Sequence, residues 1–212
     1  MPPKHSHPVG SGDQLALASF EPRLRPIAAR LASSGTVAHV FGGAVRDALA
    51  DTPTSDLDLT VDGSAREAGR SLAELLGGTY FDLDIERGIG RIAVSGPDPL
   101  TVDLTGGVSA DDIDGHLRGR DFTINAMAVS LGDLADKGAK VIDPMDGVAD
   151  LRTGLVRALS PQALDDDPIR LLRGPRIAAT GALTLDGETA GWIRQRAARI
   201  KNVSPERVRD DL

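Results

Sequence analysis

Cysteine is absent from the 212 residues, which excludes disulfides and thiolate metal sites and suits a reducing compartment. Aromatic residues are scarce, at 3%, so a platform of stacked rings gripping single-stranded nucleic acid is not the expected mode of recognition. No apolar run approaches the roughly 20 residues of a membrane span, and the opening MPPKHSHPVGSGDQ lacks the apolar stretch of a signal peptide. A cytoplasmic protein with no membrane partner is the expectation. Residues 1–13, rich in Pro, Gly, Ser and His, read as a flexible tail, in which His5 and His7 are tag-like rather than ligands.

A surplus of positive charge is also missing. The formal net charge of −7 argues against a passive electrostatic binder of nucleic acid, but the charge is unevenly spread. From Pro168 onward nine Lys and Arg face five Asp and Glu, so the basic end follows a front that carries −11. An acidic site that recruits divalent cations, followed by a basic segment facing a polyanion, would give this asymmetry; solvated helix faces would give it too. The hydrophobic content of 41% is enough for a substantial core.

Alternation and turn signals predict strands near Ala38–Phe41, Asp56–Val61, Thr79–Leu83, Arg91–Val94 and Leu100–Leu104. Ala65, Ala68, Leu72, Leu75 and Leu76 fall at helical spacing, which predicts a helix over 65–76 ended by Gly77-Gly78. After DPMDG at 143–147 the pattern turns helical, with one candidate strand at Leu155–Leu159. Ala190, Ile193, Ala197 and Ile200 mark one expected buried face, and Ser204-Pro205 reads as the cap and first turn of a last helix. The organisation expected is a mixed-sheet α/β (α+β) head over 14–150 followed by a helical neck over 151–212, truncated at its end.

In SDLDLTVDG, at 55–63, two acids interrupt an apolar run. Residues i and i+2 of a strand share a face at about 6.5–7 Å, so Asp56 and Asp58 project together while Leu57 and Leu59 point away. Two like charges that close oppose each other's ionisation unless a cation lies between them. Mg²⁺ takes a few carboxylates plus waters and substrate phosphates, and LTVDLT offers Asp103 as a third acid on another strand. An edge strand whose acids merely face water is the alternative reading. Asp82 and Asp84 in FDLDIE repeat the spacing, but Glu86-Arg87-Gly88 follows, and they read as the solvated end of a hairpin.

Upstream, HVFGGAVRDAL takes a strand through two glycines into a helix. Gly42 and Gly43 allow close approach of the backbone to a ligand, the helix start favours phosphate, and Arg46 lies one turn in. A phosphate seat beside a metal seat is what nucleotidyl transfer needs.

GGAVRD, SDLDLTV, RDFTINAMAV at 120–129, DPMDGVADLRTGLVRAL at 143–159 and DDDPIRLLRGPR at 165–176 follow one another in this order. The set resembles the bacterial-type (class II) tRNA nucleotidyltransferase and poly(A) polymerase family, over about residues 40–212. The resemblance implies a polymerase-β-like nucleotidyltransferase head and helical neck. It implies an enzyme adding AMP or CMP from ATP or CTP to an RNA 3′ end, tRNA above all, with release of pyrophosphate. Asp56, Asp58 and Asp103 would hold two Mg²⁺ ions, and Gly42, Gly43 and Arg46 would seat phosphates, with Asp47 bracing their turn. Arg120 and Asp121 would meet the ribose and phosphates of the nucleotide, with Asn125 nearby. Asp167 and Arg170 would read the base edge in place of a template strand, preceded by Asp166; Asp167 is equally suited to cap a helix that starts at Pro168. Arg173 and Arg176 would extend that face toward the triphosphate.

The chain departs from the family pattern in three places. Gly119 stands where an arginine usually precedes RDFTIN, Gly174-Pro175 interrupts a continuous helix and invites a kink, and the body and tail regions that grip tRNA are not in the sequence. A catalytically weak nucleotide-binding module is therefore the alternative expectation, and a small-molecule nucleotidyltransferase a weaker one, since that class has no need of RDFTINAMAV.

Overall fold

The computed structural model describes residues 21–135 and 141–211. The expected tail, with His5 and His7, lies outside the described residues. The chain forms two compact units: a sheet unit that runs to His116 and resumes over Met127–Ile142, and a helical unit made of Leu117–Ala126 and the chain from Asp143 onward. Residue 150, where the sequence suggested a boundary, lies inside a helix of the second unit. No helix among the described residues is long and apolar enough to cross a membrane.

The sheet unit carries helices α1 (Glu21–Ser33), α2 (Gly43–Leu49) and α3 (Ala65–Leu76) around strands β1 (Ala38–Phe41), β2 (Asp56–Val61), β3 (Thr79–Asp84), β4 (Ile89–Val94), β5 (Leu100–Thr105), β6 (Ala128–Ser130) and β7 (Val141–Ile142). Their order is β3-β4-β5-β2-β1-β6-β7 in one seven-stranded sheet. It is mixed: β2 and β5 are parallel, and each other neighbouring pair is antiparallel. The chain returns from β2 to its parallel neighbour β5 through α3 and the β3–β4 hairpin, the long crossover that parallel pairing demands.

Helix α3 shows how local sequence fixes the element. The Ser64 hydroxyl accepts from the Glu67 amide at 3.3 Å, the spacing of a capping box. Gly77 closes the helix in the left-handed conformation at φ 67°, where a Cβ would be strained. The stripe Ala65, Ala68, Leu72, Ala73 is buried, and complete burial of Leu72 contributes about 2 kcal/mol. Val40, Leu59, Ile92 and Leu104 are also fully buried and belong to this core.

The helical unit contains α5 (Gly147–Thr153), α6 (Pro161–Asp166), α7 (Arg170–Thr180), α8 (Gly187–Arg196) and α9 (Pro205–Asp211), with the parallel pair β8 (Leu155–Val156) and β9 (Thr184–Leu185); α4 (Ile113–Arg118) ends where the chain enters it. Phe122 and Ile124 pack with Val156, Ala158, Leu164, Leu171 and Ile177 in one cluster. That packing is why ten residues of the RDFTIN region belong with the C-terminal part rather than with the strand they precede. The candidate strand at Leu155–Leu159 shortens to Leu155–Val156, followed by an isolated bridge from Ala158 to Phe122.

Helix α7 spans Arg170–Thr180 with Pro175 inside it. The glycine is there for space: a Cβ at Gly174 would lie 2.8 Å from Cζ of Phe122. The face Ala190, Ile193, Ala197, Ile200 is not one buried stripe, because α8 stops at Arg196 and a 3₁₀ turn over Ala197–Asn202 changes the period. Ala197 is exposed, and the buried residue of α8 is Thr189.

Candidate active site

Strand register assembles the acids. Asp58 of β2 lies opposite Asp103 of the parallel β5, and Asp56 is two residues earlier on β2, opposite Thr101. Directly paired residues point to the same face, and so do i and i+2. All three carboxylates therefore share one face of the sheet, while Leu57 and Leu59 are buried on the other. Asp56 is exposed and Asp58 half-buried, so the pair stands at the mouth of the sheet within reach of water and ligand. A cavity of about 230 Å³ lined by Arg23, Leu24, Thr54 and Leu57 is associated with the apolar side chain of β2 and has no part in this acidic face.

Asp103 is already engaged. Arg91 of β4, paired with it in register, donates from Nε at 2.6 Å and from a terminal nitrogen at 2.8 Å to its two oxygens. This residue was missed by sequence reasoning, because nothing local to GIGRIAV reveals which acid lies across the ladder. Bonding to Asp103 holds the Arg91 guanidinium above its ordinary pKa, against the cost of desolvation, and Asp56 and Asp58 add to the effect.

The cation draw of these acids and their hard oxygen donors fit a divalent ion of the Mg²⁺ kind. Among the described residues, however, no three His, Cys, Asp or Glu side chains converge to hold a metal. In this structure both oxygens of Asp103 are taken up by Arg91. Asp82 and Asp84 are structural: Asp82 accepts from Arg66 at 2.9 Å and from the Tyr80 hydroxyl at 2.9 Å, and Asp84 accepts from the Arg87 amide at 3.1 Å.

On the neighbouring strand β1, Gly42 leads into α2 with φ 75° and ψ −141°, a region open in practice to glycine alone. Its amide donates to the Met127 carbonyl at 3.0 Å, so this N–H is engaged within the fold. Arg46 donates to Asp47 through Nε at 2.9 Å and folds back over Gly43, where a Cβ would lie 3.4 Å from its guanidinium. Asp47 is thus the acid partner of Arg46.

The helical unit holds the other expected residues. Asp121 is 2% exposed and accepts from the Phe122 amide at 2.8 Å, from Asn125 Nδ2 at 3.0 Å and from Arg173 at 3.0 Å. Burial disfavours its charge, but Arg120, Arg173 and the Asn125 bond outweigh that and hold its pKa below the ordinary value. Asp121 is therefore a buried, three-bonded anchor in this structure. Arg170 spreads over backbone carbonyls, donating to Ala163 at 3.0 Å, Gly119 at 3.3 Å and Arg120 at 3.4 Å. Asp167 follows α6, and its side chain accepts from the Ile169 amide at 3.4 Å in the turn that leads into α7 at Arg170. Asp166 accepts from Gln162 at 2.7 Å.

Helix α9 supplies partners that sequence reasoning missed. Arg207 donates to Asp167 at 2.8 Å, and Asp211 accepts from Arg173 at 3.0 Å and from Arg176 at 3.4 Å. The signal was present only as complementary charge: acids and bases of SPERVRDDL matched to those of DDDPIRLLRGPR, some 35–40 positions apart. Asp150 is a further missed anchor, accepting from the buried Thr123 hydroxyl at 2.7 Å and from Arg157 at 3.0 Å.

The site thus consists of a pair of acids on one strand of a mixed sheet, a third acid in register on the parallel neighbour, and a glycine turn into a short helix. Residues 101–157 match the poly(A) polymerase head domain family. The chain is 36% identical over 203 residues to the CC-adding tRNA nucleotidyltransferase of Geobacter sulfurreducens, covering 94% of this chain and 45% of that one. It is 36% identical over 180 residues to the A-adding tRNA nucleotidyltransferase of Deinococcus radiodurans, covering 82% and 39%. Among solved structures, a CCA-adding enzyme in complex with ATP superimposes with a TM-score of 0.76 at 27% identity, over 93% of this chain and 48% of that one. The Thermotoga maritima CCA-adding enzyme complexed with tRNA gives 0.77 at 26%, over 93% and 49%. The chain is thus similar over most of its length to bacterial tRNA nucleotidyltransferases, and it spans about half the length of the curated relatives it matches.

Proposed function

We propose that this chain carries the head and neck of a cytoplasmic, metal-dependent RNA nucleotidyltransferase that adds AMP or CMP from ATP or CTP to an RNA 3′ end and releases pyrophosphate, with tRNA as the RNA. The observation that carries the reading is the register of Asp58 with Asp103 and the common face they share with Asp56. Relatives named as adding CC or A to tRNA support the choice of reaction and substrate.

In this reading Asp56 and Asp58 hold the divalent cation, with Mg²⁺ as the ion, two ions in the loaded site, and Asp103 as the third ligand once it is free of Arg91. When bound, such ions supply charge stabilisation for an attacking hydroxyl and a departing pyrophosphate. The protein's own groups do the rest. The backbone at Gly42 and Gly43, with no Cβ in the way, lets triphosphate oxygens approach, and Arg46 offers a guanidinium to them. Asp121 positions: with Asn125 and Arg173 it fixes the chain at Arg120, the residue left to meet nucleotide phosphate. Asp167 and Arg170 offer an acceptor and donors to a base edge. The Arg207 partner of Asp167 is 55% exposed, and such a surface pair is worth about 0–1 kcal/mol, so a nucleotide can replace it at little cost. Arg173 and Arg176 hold α9 through Asp211.

The test is incorporation of labelled CMP and AMP, with Mg²⁺, on tRNA lacking all, two or one of its terminal CCA nucleotides. Incorporation on at least one rung supports the reading, and the rung identifies CC, A or complete CCA addition. Nucleotide binding without incorporation on any RNA would replace it with a nucleotide-binding module.

A further inference from the structure

One row of side chains crosses the sheet at the acidic end of β2. Arg91 is opposite Asp103, and Asp103 is opposite Asp58. The Arg91 fork engages both oxygens of Asp103 at 2.6 and 2.8 Å, the two-pronged geometry in which arginine holds a carboxylate most firmly. A carboxylate with both oxygens so engaged has little left to offer an incoming ion. Arg91 thus puts a positive charge among three acids before any metal arrives. Its side chain is 41% exposed, so the guanidinium has open water to swing into when displaced.

We propose that Arg91 is a positioning residue that withholds Asp103 from metal coordination in the free protein, a divalent cation and the guanidinium competing for the same two oxygens. The inference rests on the reading that Asp56 and Asp58 hold metal. It gives the site an order of assembly: the pair on β2 takes the ion weakly, and the third carboxylate joins only when Arg91 lets go. A head that binds free cations weakly is then filled when a nucleotide brings its own, because triphosphate oxygens give the displaced guanidinium a new anion.

The experiment is a titration of the 212-residue chain with Mn²⁺, without nucleotide, reading free Mn²⁺ by electron paramagnetic resonance. Arg91→Gln should bind Mn²⁺ about tenfold tighter, equivalent to about 1.4 kcal/mol. Arg91→Gln combined with Asp103→Asn should lose that gain. Arg91→Lys keeps the charge but not the fork, so it should show a smaller gain, and it serves if the glutamine variant fails to fold by circular dichroism. If Asp56→Ala with Asp58→Ala abolishes binding but neither Arg91 variant tightens it, this inference is overturned and the metal reading stands. If the double alanine variant binds Mn²⁺ as well as the unaltered chain, both are overturned.

Discussion

Replacing Asp121 with alanine removes the most deeply held carboxylate of the helical unit, and its cost can be worked from three bonds. The Phe122 amide and the Asn125 side chain each lose a buried acceptor, at about 1–3 kcal/mol for a donor left unsatisfied. Arg173 loses one acid but keeps Asp211 and is 29% exposed, so solvent screening leaves only a small part of a buried ion pair's value. Water entering the shortened site recovers some of the rest, and a net loss of about 3 kcal/mol is expected. For a chain of this length that lowers the midpoint of thermal unfolding by about 6–12 °C. Urea denaturation should show the same loss with an unchanged slope. The pH dependence follows from the depressed pKa of Asp121. A carboxyl held below its unfolded value of about 3.9 stabilises fully above that pH, and the gain disappears as pH falls through the folded value. The gap between the unaltered chain and Asp121→Asn should therefore be constant from pH 8 to 5 and close only below about pH 4. A loss under about 1 kcal/mol for the alanine variant, or a gap that closes between pH 7 and 5, would refute the placement of an ionised, three-bond anchor at this position.

Gly174→Ala gains about 1 kcal/mol in helix propensity but forces a methyl within 2.8 Å of the fully buried Phe122 ring, and overpacking costs about 1–3 kcal/mol; a net destabilisation by urea denaturation is expected, and a stabilised variant would contradict the packing. Arg207→Ala removes an exposed partner of Asp167, so stability should change by less than about 1 kcal/mol, while equilibrium dialysis should show nucleotide affinity maintained or raised; a tenfold fall in affinity would place Arg207 in the nucleotide site instead.

How much of this could be read beforehand depended on whether the determining interaction was local. Strand β2 and helix α3 were legible to the residue, since the alternation in DLDLTV, the apolar spacing of 65–76 and the closing Gly77 all act within a dozen positions. The common face of Asp56 and Asp58 followed from strand geometry alone. The Arg91–Asp103 bond did not, because register between strands depends on the whole sheet. RDFTINAMAV read as one motif, yet its first half packs with Val156 and Leu164 and its second half enters the large sheet as β6. The burial of Asp121 was hidden for a related reason: its partner Arg173 lies 52 positions away. The stripe at 190–200 misled because helical spacing was carried past Arg196, where the chain changes from α to 3₁₀.

The shared face of Asp56, Asp58 and Asp103 is the feature on which the functional account stands, and it is tested most directly by labelled-nucleotide incorporation into tRNA lacking its CCA end, with Mg²⁺, by Asp56→Ala combined with Asp58→Ala. Both side chains stand at the open end of β2, so the variant should fold as the unaltered chain does by circular dichroism. The account predicts no incorporation above background. Incorporation at the unaltered rate would contradict it.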